Sequence, residues 1–298
     1  MTTIFAHSEL FAVADELWTD NNDLPAPPPF FKYYVTESSV LFYSGNVMPI
    51  LATLSGYVGA LKIDEEYVER MFELSEMEQV DCEFLEVDRF TGEVVFSESA
   101  TEIEFADHRF FGIGSGSDHA LRKYSDMLSV MHDAEVQFDF DSHGFKLIES
   151  SMLYAFREDN CSGGGICHAF VEGSSMNLDG LKWPSAHELP SYHARILSKI
   201  DEVFESKEEI IKLIAMMQDE VVSDTIELEN ETKAFDQSEK QAYNHPILVS
   251  AKGRNAMSNT TNTPARVATK TSGSGRGKPF NAAGIKARIA QRKAEGLN

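Results

Sequence analysis

Short apolar and aromatic runs from Thr3 to Trp18 and from Phe31 to Tyr43 flank the polar, proline-rich stretch from Thr19 to Pro29. That pattern predicts strands joined by a loop. Ser44-Gly45-Asn46 is turn chemistry, and Ile50, Leu51, Leu54, Val58 and Leu61 then recur at helical spacing. Asp64 to Met77 predicts a second helix. From Cys82 to Ser97 apolar and polar residues alternate around Phe90-Thr91-Gly92, which predicts a hairpin. Phe110 to Ile113 reads as a short buried strand running into Gly114-Ser115-Gly116-Ser117. Ala120, Tyr124, Leu128 and Met131 then mark a helix, and His143 to Arg157 predicts another. Gly163-Gly164-Gly165 breaks the chain before the strand-like run from Ile166 to Val171.

The predicted order is therefore strands, two helices, a hairpin and strand, two helices, and a strand. Antiparallel strand runs alternating with helix pairs fit a layered α/β sandwich better than a doubly wound parallel sheet. Ser191 to about Glu229 reads as helical, with Ile210, Ile214, Met217 and Val221 on one stripe. A packing face explains that stripe more simply than a partner-binding face. From His245 to about Lys278 the chain is rich in Ser, Thr, Asn and Gly, and disorder is expected, because few large apolar side chains are present to offset ordering entropy. Phe280 to Leu297 can form a basic helix against something acidic, including this protein's own body. These readings divide the chain into a domain over 2–175, a helical extension over 176–245 and a basic, mostly disordered tail over 246–298.

Charge sharpens this division. The net charge is -22, yet ten Lys or Arg from Ala251 onward face Glu295 alone, so the tail carries +9 and the rest -31. An acidic body of that kind repels phosphate backbones, which argues against nucleic acid as its ligand. No window approaches eighteen consecutive apolar residues, and the first residues lack the basic region and apolar run of a secretory signal, so a cytoplasmic protein without a membrane span is expected. Cys82, Cys161 and Cys167 have neither CxxC spacing nor an even count, and the nine histidines are scattered, so no metal and no cofactor is expected. Gly112-Ile-Gly114-Ser-Gly116 sits between a strand and a helix as a dinucleotide loop would. No parallel βαβ unit with an acidic second-strand end follows it, and a tight turn is the simpler reading.

The N-terminus offers different chemistry. Removal of Met1 would expose Thr2, whose amine, with a pKa near ~8, can act as general base toward its own hydroxyl at physiological pH. Nucleophile and base would then reside in one residue. Taken alone this is an ordinary trimmed terminus, but three further segments accompany it. The start Thr2-Thr3-Ile4, the run Phe111-Gly112-Ile113-Gly114-Ser115-Gly116-Ser117-Asp118-His119-Ala120-Leu121, and Asp159-Asn160-Cys161-Ser162-Gly163-Gly164 occur in that order. With them the sequence resembles a proteasome β-type subunit, most of all the HslV-type threonine peptidases, over about Thr2 to Val171. The last segment matches the family's D-x-x-S-G-G at every defined position, and the second its IGSG turn.

That resemblance implies a four-layer αββα sandwich of two antiparallel sheets flanked by helices, of the N-terminal-nucleophile hydrolase type. It implies Thr2 Oγ as nucleophile, the freed Thr2 amine as base, and Lys32 as essential cation held by Asp15. Asp159 with the hydroxyls of Ser115 and Ser162 would anchor the amine and a water. Gly45 would supply an oxyanion-hole N–H, and Thr19 would pair with an extended peptide. Asn46 stands where the family's oxyanion turn usually has glycine, and the Asp20 to Phe30 loop is long. The implied activity is endopeptidase cleavage of unfolded polypeptides inside a homo-oligomeric ring, with an ATP-dependent unfoldase as a partner in HslV-like systems. The alternative is a catalytically inactive proteasome-like shell or assembly protein whose basic tail binds an acidic partner. An N-terminal-nucleophile amidase for small molecules is a third reading, disfavoured by the intact Asp159-x-x-Ser162-Gly-Gly.

Overall fold

The computed structural model describes residues 2–20, 24–77, 79–105, 108–136, 139–205 and 281–297. Two antiparallel sheets pack face to face. In chain order the elements are β1 (Ile4–His7), β2 (Phe11–Asp15), β3 (Trp18–Thr19), β4 (Pro25–Ala26), β5 (Tyr33–Val35), β6 (Ser39–Gly45), α1 (Val47–Tyr57) and α2 (Glu65–Met77). They continue with β7 (Cys82–Asp88), β8 (Val94–Glu98), β9 (Thr101–Phe105), β10 (His108–Ile113), α3 (Ser117–Asp133), α4 (Phe145–Glu158), β11 (Ile166–Glu172) and β12 (Ser175–Asn177). A helix described from 189 to 205, here α5, and α6 (Ala282–Glu295) complete the set.

One sheet has the order β12-β11-β2-β1-β10-β9 and the other β5-β6-β7-β8; β3 and β4 form a separate two-residue ladder. Between the sheets, Ile4, Ala6, Ala12 and Ala14 meet Tyr33, Val40, Phe42, Leu85 and Val87. The alanines on β1 and β2 leave room for the larger side chains opposite, so the layers interdigitate. On the far side of the first sheet, Phe5, Phe11, Val13 and Phe110 pack under Tyr124 and Leu128 of α3 and Ile148, Met152 and Ala155 of α4. Strands β1 and β2 are buried on both faces, which is why they read as continuous apolar runs rather than alternating ones. On the far side of the second sheet lie α1 and α2, with Tyr57 of α1 donating from its hydroxyl to Glu86 of β7 at 3.2 Å.

This is the four-layer αββα sandwich expected from the sequence, with the two helix pairs as its outer layers. The structure adds elements that the sequence reading passes over: β9, β12, and a π-helical turn over Phe140–Gly144 leading into α4. It also shows why Asn46 stands in its turn. Its side chain accepts the Met48 N–H at 3.0 Å and caps α1, a role for which glycine has no side chain.

Past the second sheet's edge, α5 lies against the strands. The Phe31 N–H donates to the Tyr192 hydroxyl at 3.3 Å, and Tyr34 Oη and His193 Nε2 are 2.8 Å apart. Ile196 and Ile200 are fully buried. The apolar stripe of Ile210 to Val221 and the stretch from His245 to Lys278 lie outside the described residues. At the C-terminus α6 is capped by the Asn281 side chain, which accepts from Ala283 N at 3.1 Å, and ends at Gly296 in a left-handed conformation.

Candidate active site

Strand register assembles the site. In the β1–β2 hairpin Ile4 lies opposite Ala14, so the next step outward sets Thr3 beside Asp15, and the Asp15 N–H donates to Thr3 O at 3.0 Å. On the other side of β1, Ile4 lies opposite Ile113, which brings the turn after β10 onto the start of the chain. On the other side of β2, Ile166 lies opposite Asp15, which brings up the glycine run before β11. A one-residue slip in any of these pairings would turn the side chains to the wrong face. Ends of four neighbouring strands, β11, β2, β1 and β10, thus meet at one place, and Lys32 reaches it from the entry to β5 in the other sheet.

Asp15 is the hub. Its Oδ1 accepts from the Thr2 hydroxyl at 3.0 Å, the Thr3 N–H at 2.8 Å and Lys32 Nζ at 2.9 Å; its Oδ2 accepts the Gly163 N–H at 3.0 Å. Asp15 and Thr2 are each 1% exposed and Lys32 3%. A carboxylate this deeply buried is sustained by an opposite charge and by filling its acceptor sites, and Asp15 has both. Burial pushes the Lys32 ammonium below the ordinary lysine range, against the pull of Asp15 and Asp159. Its Nζ also stands 5.6 Å from the centre of the Trp18 ring.

A second carboxylate organises the neighbouring hydroxyls. Asp159 Oδ2 accepts from Ser115 Oγ and from Ser162 Oγ, both at 2.6 Å, while Oδ1 accepts the Cys161 N–H at 3.1 Å. Thr3 Oγ1 donates to Ser162 Oγ at 2.6 Å, joining the two carboxylate clusters into one network. Backbone fit is close: the Gly116 N–H donates to Thr2 O at 3.1 Å, and a Cβ on Gly116 would lie 1.9 Å from Thr3 Oγ1. Gly114 and Gly116 therefore serve the approach of the start of the chain, while Gly112 makes room for Ser117 and Leu121 of α3.

Six of the residues singled out from the sequence are thus brought together: Thr2, Asp15, Lys32, Ser115, Asp159 and Ser162. Gly45 and Thr19 lie on other elements. Gly45 ends β6 with φ +108°, opposite Cys82, where a Cβ would lie 2.3 Å from Asp81 O, so the turn demands glycine. Thr19 pairs with Pro25 in the β3–β4 ladder. Two participants escape sequence reading. Thr3 looks like a mere neighbour of Thr2, and only the hairpin register reveals its two hydrogen bonds, from its N–H to Asp15 and from its hydroxyl to Ser162. Glu83, on the inward face of β7 beside Ser44, accepts the Gly114 N–H and ties the two sheets together next to Thr2.

No protein-family model and no curated protein sequence matches the chain. Among solved structures it is similar to a eukaryotic HslV from Trypanosoma brucei, with 16% identity, 57% of this chain and 99% of that chain covered and a TM-score of 0.35. It is also similar to a Gly-1 mutant of Anbu from Hyphomicrobium sp. strain MC1, with 14% identity, 70% of this chain and 97% of that chain covered and a TM-score of 0.41.

Proposed function

We propose that the protein is a threonine-type endopeptidase that hydrolyses peptide bonds of unfolded polypeptides, with Thr2 as nucleophile. The observation that carries this reading is the Thr2 hydroxyl donating to a buried Asp15 that is ion-paired with Lys32. A hydroxyl fixed beside a desolvated cation is placed where a developing alkoxide would be stabilised.

The chemistry requires that Met1 be removed. Thr2 Oγ then attacks the scissile carbonyl carbon, its proton passing to the freed Thr2 amine, and the carbonyl π electrons move onto oxygen. The tetrahedral intermediate collapses as the C–N bond breaks and the leaving amine takes the proton, leaving an ester on Thr2. Water, deprotonated by the same amine, cleaves that ester and restores the hydroxyl. Lys32 holds positive charge beside Oγ, Asp15 holds Lys32, and Asp159 with Ser115 and Ser162 orients the amine and water. The Gly45 N–H serves the oxyanion, and Thr19 lends its backbone to an extended peptide. We place this activity in a cytoplasmic homo-oligomeric ring fed by an ATP-dependent unfoldase. Among the described residues no helix is long and apolar enough to cross a membrane.

The burial of Thr2 favours a second reading, in which the chain is a catalytically silent shell or assembly protein. Turnover separates the two. Purified protein with Met1 removed is expected to cleave unfolded casein and fluorogenic peptides, Thr2→Ala to be inactive, and Thr2→Ser to keep part of the activity. Equal turnover by the wild type and Thr2→Ala would overturn the proposal.

A further inference from the structure

Arginine is the side chain to follow outside the candidate site, because its planar fork of donors matches a carboxylate. On the outer side of the second sheet, Arg288 and Arg292 of α6 are both engaged. Buried Glu86 of β7 accepts from Arg288 Nε at 2.7 Å, from Arg292 Nη1 at 2.5 Å and from Ser39 Oγ at 2.7 Å, while Ile289 of α6 sits over Gly56 of α1. The chain's own helix fills that groove. Arg195 of α5 differs: among the described residues its guanidinium makes no hydrogen bond and no ion pair, and its Cζ lies 5.5 Å from the centre of the Tyr192 ring.

Arg195 lines a cavity of about 420 Å³ between α5 and the entry to β5, within the size range of small-molecule sites. Phe31, Trp183 and Tyr192 form its apolar wall. Ring centres are 5.3 Å apart for Phe31 and Tyr192, 5.4 Å for Trp183 and Tyr192, and 6.3 Å for Phe31 and Trp183, so each ring braces the other two. Phe31 and Trp183 are only half-buried. The Phe31 N–H on the Tyr192 hydroxyl fixes the wall further, which makes it a surface formed before any ligand arrives. Two more charges line the cavity, and both are engaged. Lys182 pairs with Glu16, and Glu188 accepts the Ser185 N–H and hydroxyl at 3.0 and 2.8 Å at the turn into α5. Glu188, Tyr192 and Arg195 stand at i, i+4 and i+7, so the carboxylate and the guanidinium are two turns, about 10 Å, apart along the helix with the Tyr192 ring between them.

We propose that this cavity binds a carboxylate carried on an aromatic body, its anionic end on Arg195 and its ring against Phe31, Trp183 and Tyr192. Three rings could also face a cation, but Lys182 and Arg195 put two positive charges on the lining against Glu188 alone. A wholly apolar ligand would cover Arg195 and leave it unpaired. An aromatic carboxylate meets both conditions. The C-terminal residue of a peptide and a free aromatic acid share this chemistry. The cavity adjoins the candidate active site at two points of the sequence, since Phe31 precedes Lys32 and Lys182 pairs with the Glu16 that follows Asp15. Binding there does not depend on Thr2 chemistry and is read without turnover.

Trp18 and Trp183 are the two tryptophans of the chain, so the full-length protein carrying Trp18→Phe keeps Trp183 fluorescence as a reporter on the cavity wall. It is titrated with 3-phenylpropionate, 3-phenylpropionamide, acetate, N-acetyl-Gly-Phe and the C-terminal amide of that peptide. The proposal predicts a saturable change with each aromatic acid, binding at least about tenfold tighter than the matching amide, and no change with acetate. Arg195 is exposed, so Arg195→Gln is expected to keep the wild-type circular dichroism and to lose the preference for acid over amide. Tighter binding of N-acetyl-Gly-Phe than of 3-phenylpropionate identifies a peptide terminus as the source, and the reverse order a free acid. Equal affinities for acid and amide, a preference that survives Arg195→Gln, or no saturable change with either acid would overturn the proposal.

Discussion

Among the described residues two buried carboxylates have cationic partners, Asp15 and Glu86, and they differ in what surrounds the charge. Glu86 is met by two guanidiniums. Burial alone would push its carboxyl up, but Arg288, Ser39 and Arg292 hold it below the ordinary carboxylate range. Asp15 instead is met by one lysine, a hydroxyl and backbone N–H groups, and burial lowers the affinity of that lysine for its proton. One cluster locks a helix; the other holds a hydroxyl beside an adjustable charge. A hydroxyl shares a carboxylate oxygen with a cation in both clusters, Ser39 on Glu86 Oε1 and Thr2 on Asp15 Oδ1, so the difference between them lies in the cation, guanidinium in one and buried lysine in the other.

Changing the hub of each cluster tests this contrast. Asp15→Asn keeps the shape but leaves Lys32 buried without its counter-charge, and turnover is expected to fall by at least about a hundredfold. Steady-state peptide hydrolysis at matched folded fraction measures it. Glu86→Gln removes the charge that both arginines need; if α6 stayed docked the cost would be about 3–5 kcal/mol, so the helix is expected to leave its groove. Hydrogen exchange over residues 282–295 should then rise, while turnover per folded site stays within about twofold because the two clusters are separate. A parallel loss of activity in Glu86→Gln would show that they are coupled.

His7 shows what happens to a buried titratable group with no opposite charge. Its ring is 4% exposed, 2.9 Å from His108 Nδ1, and burial together with His108 lowers its pKa from 6.5 to about 4. As the pH falls below 6.5 the unfolded chain takes up a proton that folded His7 refuses. Stability is thus constant above that range, declines down to about pH 4, and levels off below it, by about 3 kcal/mol in all. His7→Phe should flatten this part of the stability profile measured by denaturant unfolding between pH 7 and 4. An unchanged slope would place the protonation elsewhere.

Much of the fold was legible because apolar periodicity is a direct consequence of layering. The helices α1 to α4 and the hairpin β7–β8 follow from the spacing of their buried residues. Strand β9 is harder: Thr101, Ile103 and Phe105 alternate with Glu102 and Glu104, but its half-buried edge position leaves the contrast weak. The candidate site was legible through the family resemblance that Asp159-x-x-Ser162-Gly-Gly and the Gly114-Ser115-Gly116 turn carry; taken singly, Lys32 reads as an exposed lysine and Asp159 as a cap on the glycine-rich break. It was not legible where register decides, because a threonine such as Thr3 acquires its role only once Ile4 faces Ala14. Nor could composition show that the basic C-terminal helix meets Glu86, since a lone glutamate in an alternating strand gives no sign of a partner two hundred positions away.

The central claim is that Thr2 becomes a free-amine nucleophile in the Asp15–Lys32 site. The most direct measurement is the intact and peptide mass of purified protein after exposure to a peptide epoxyketone, which reacts with both the hydroxyl and the amine of an N-terminal threonine. The account predicts Met1 gone and a single adduct on Thr2, absent in Thr2→Ala. A chain that has lost Met1 and takes up no adduct would contradict it.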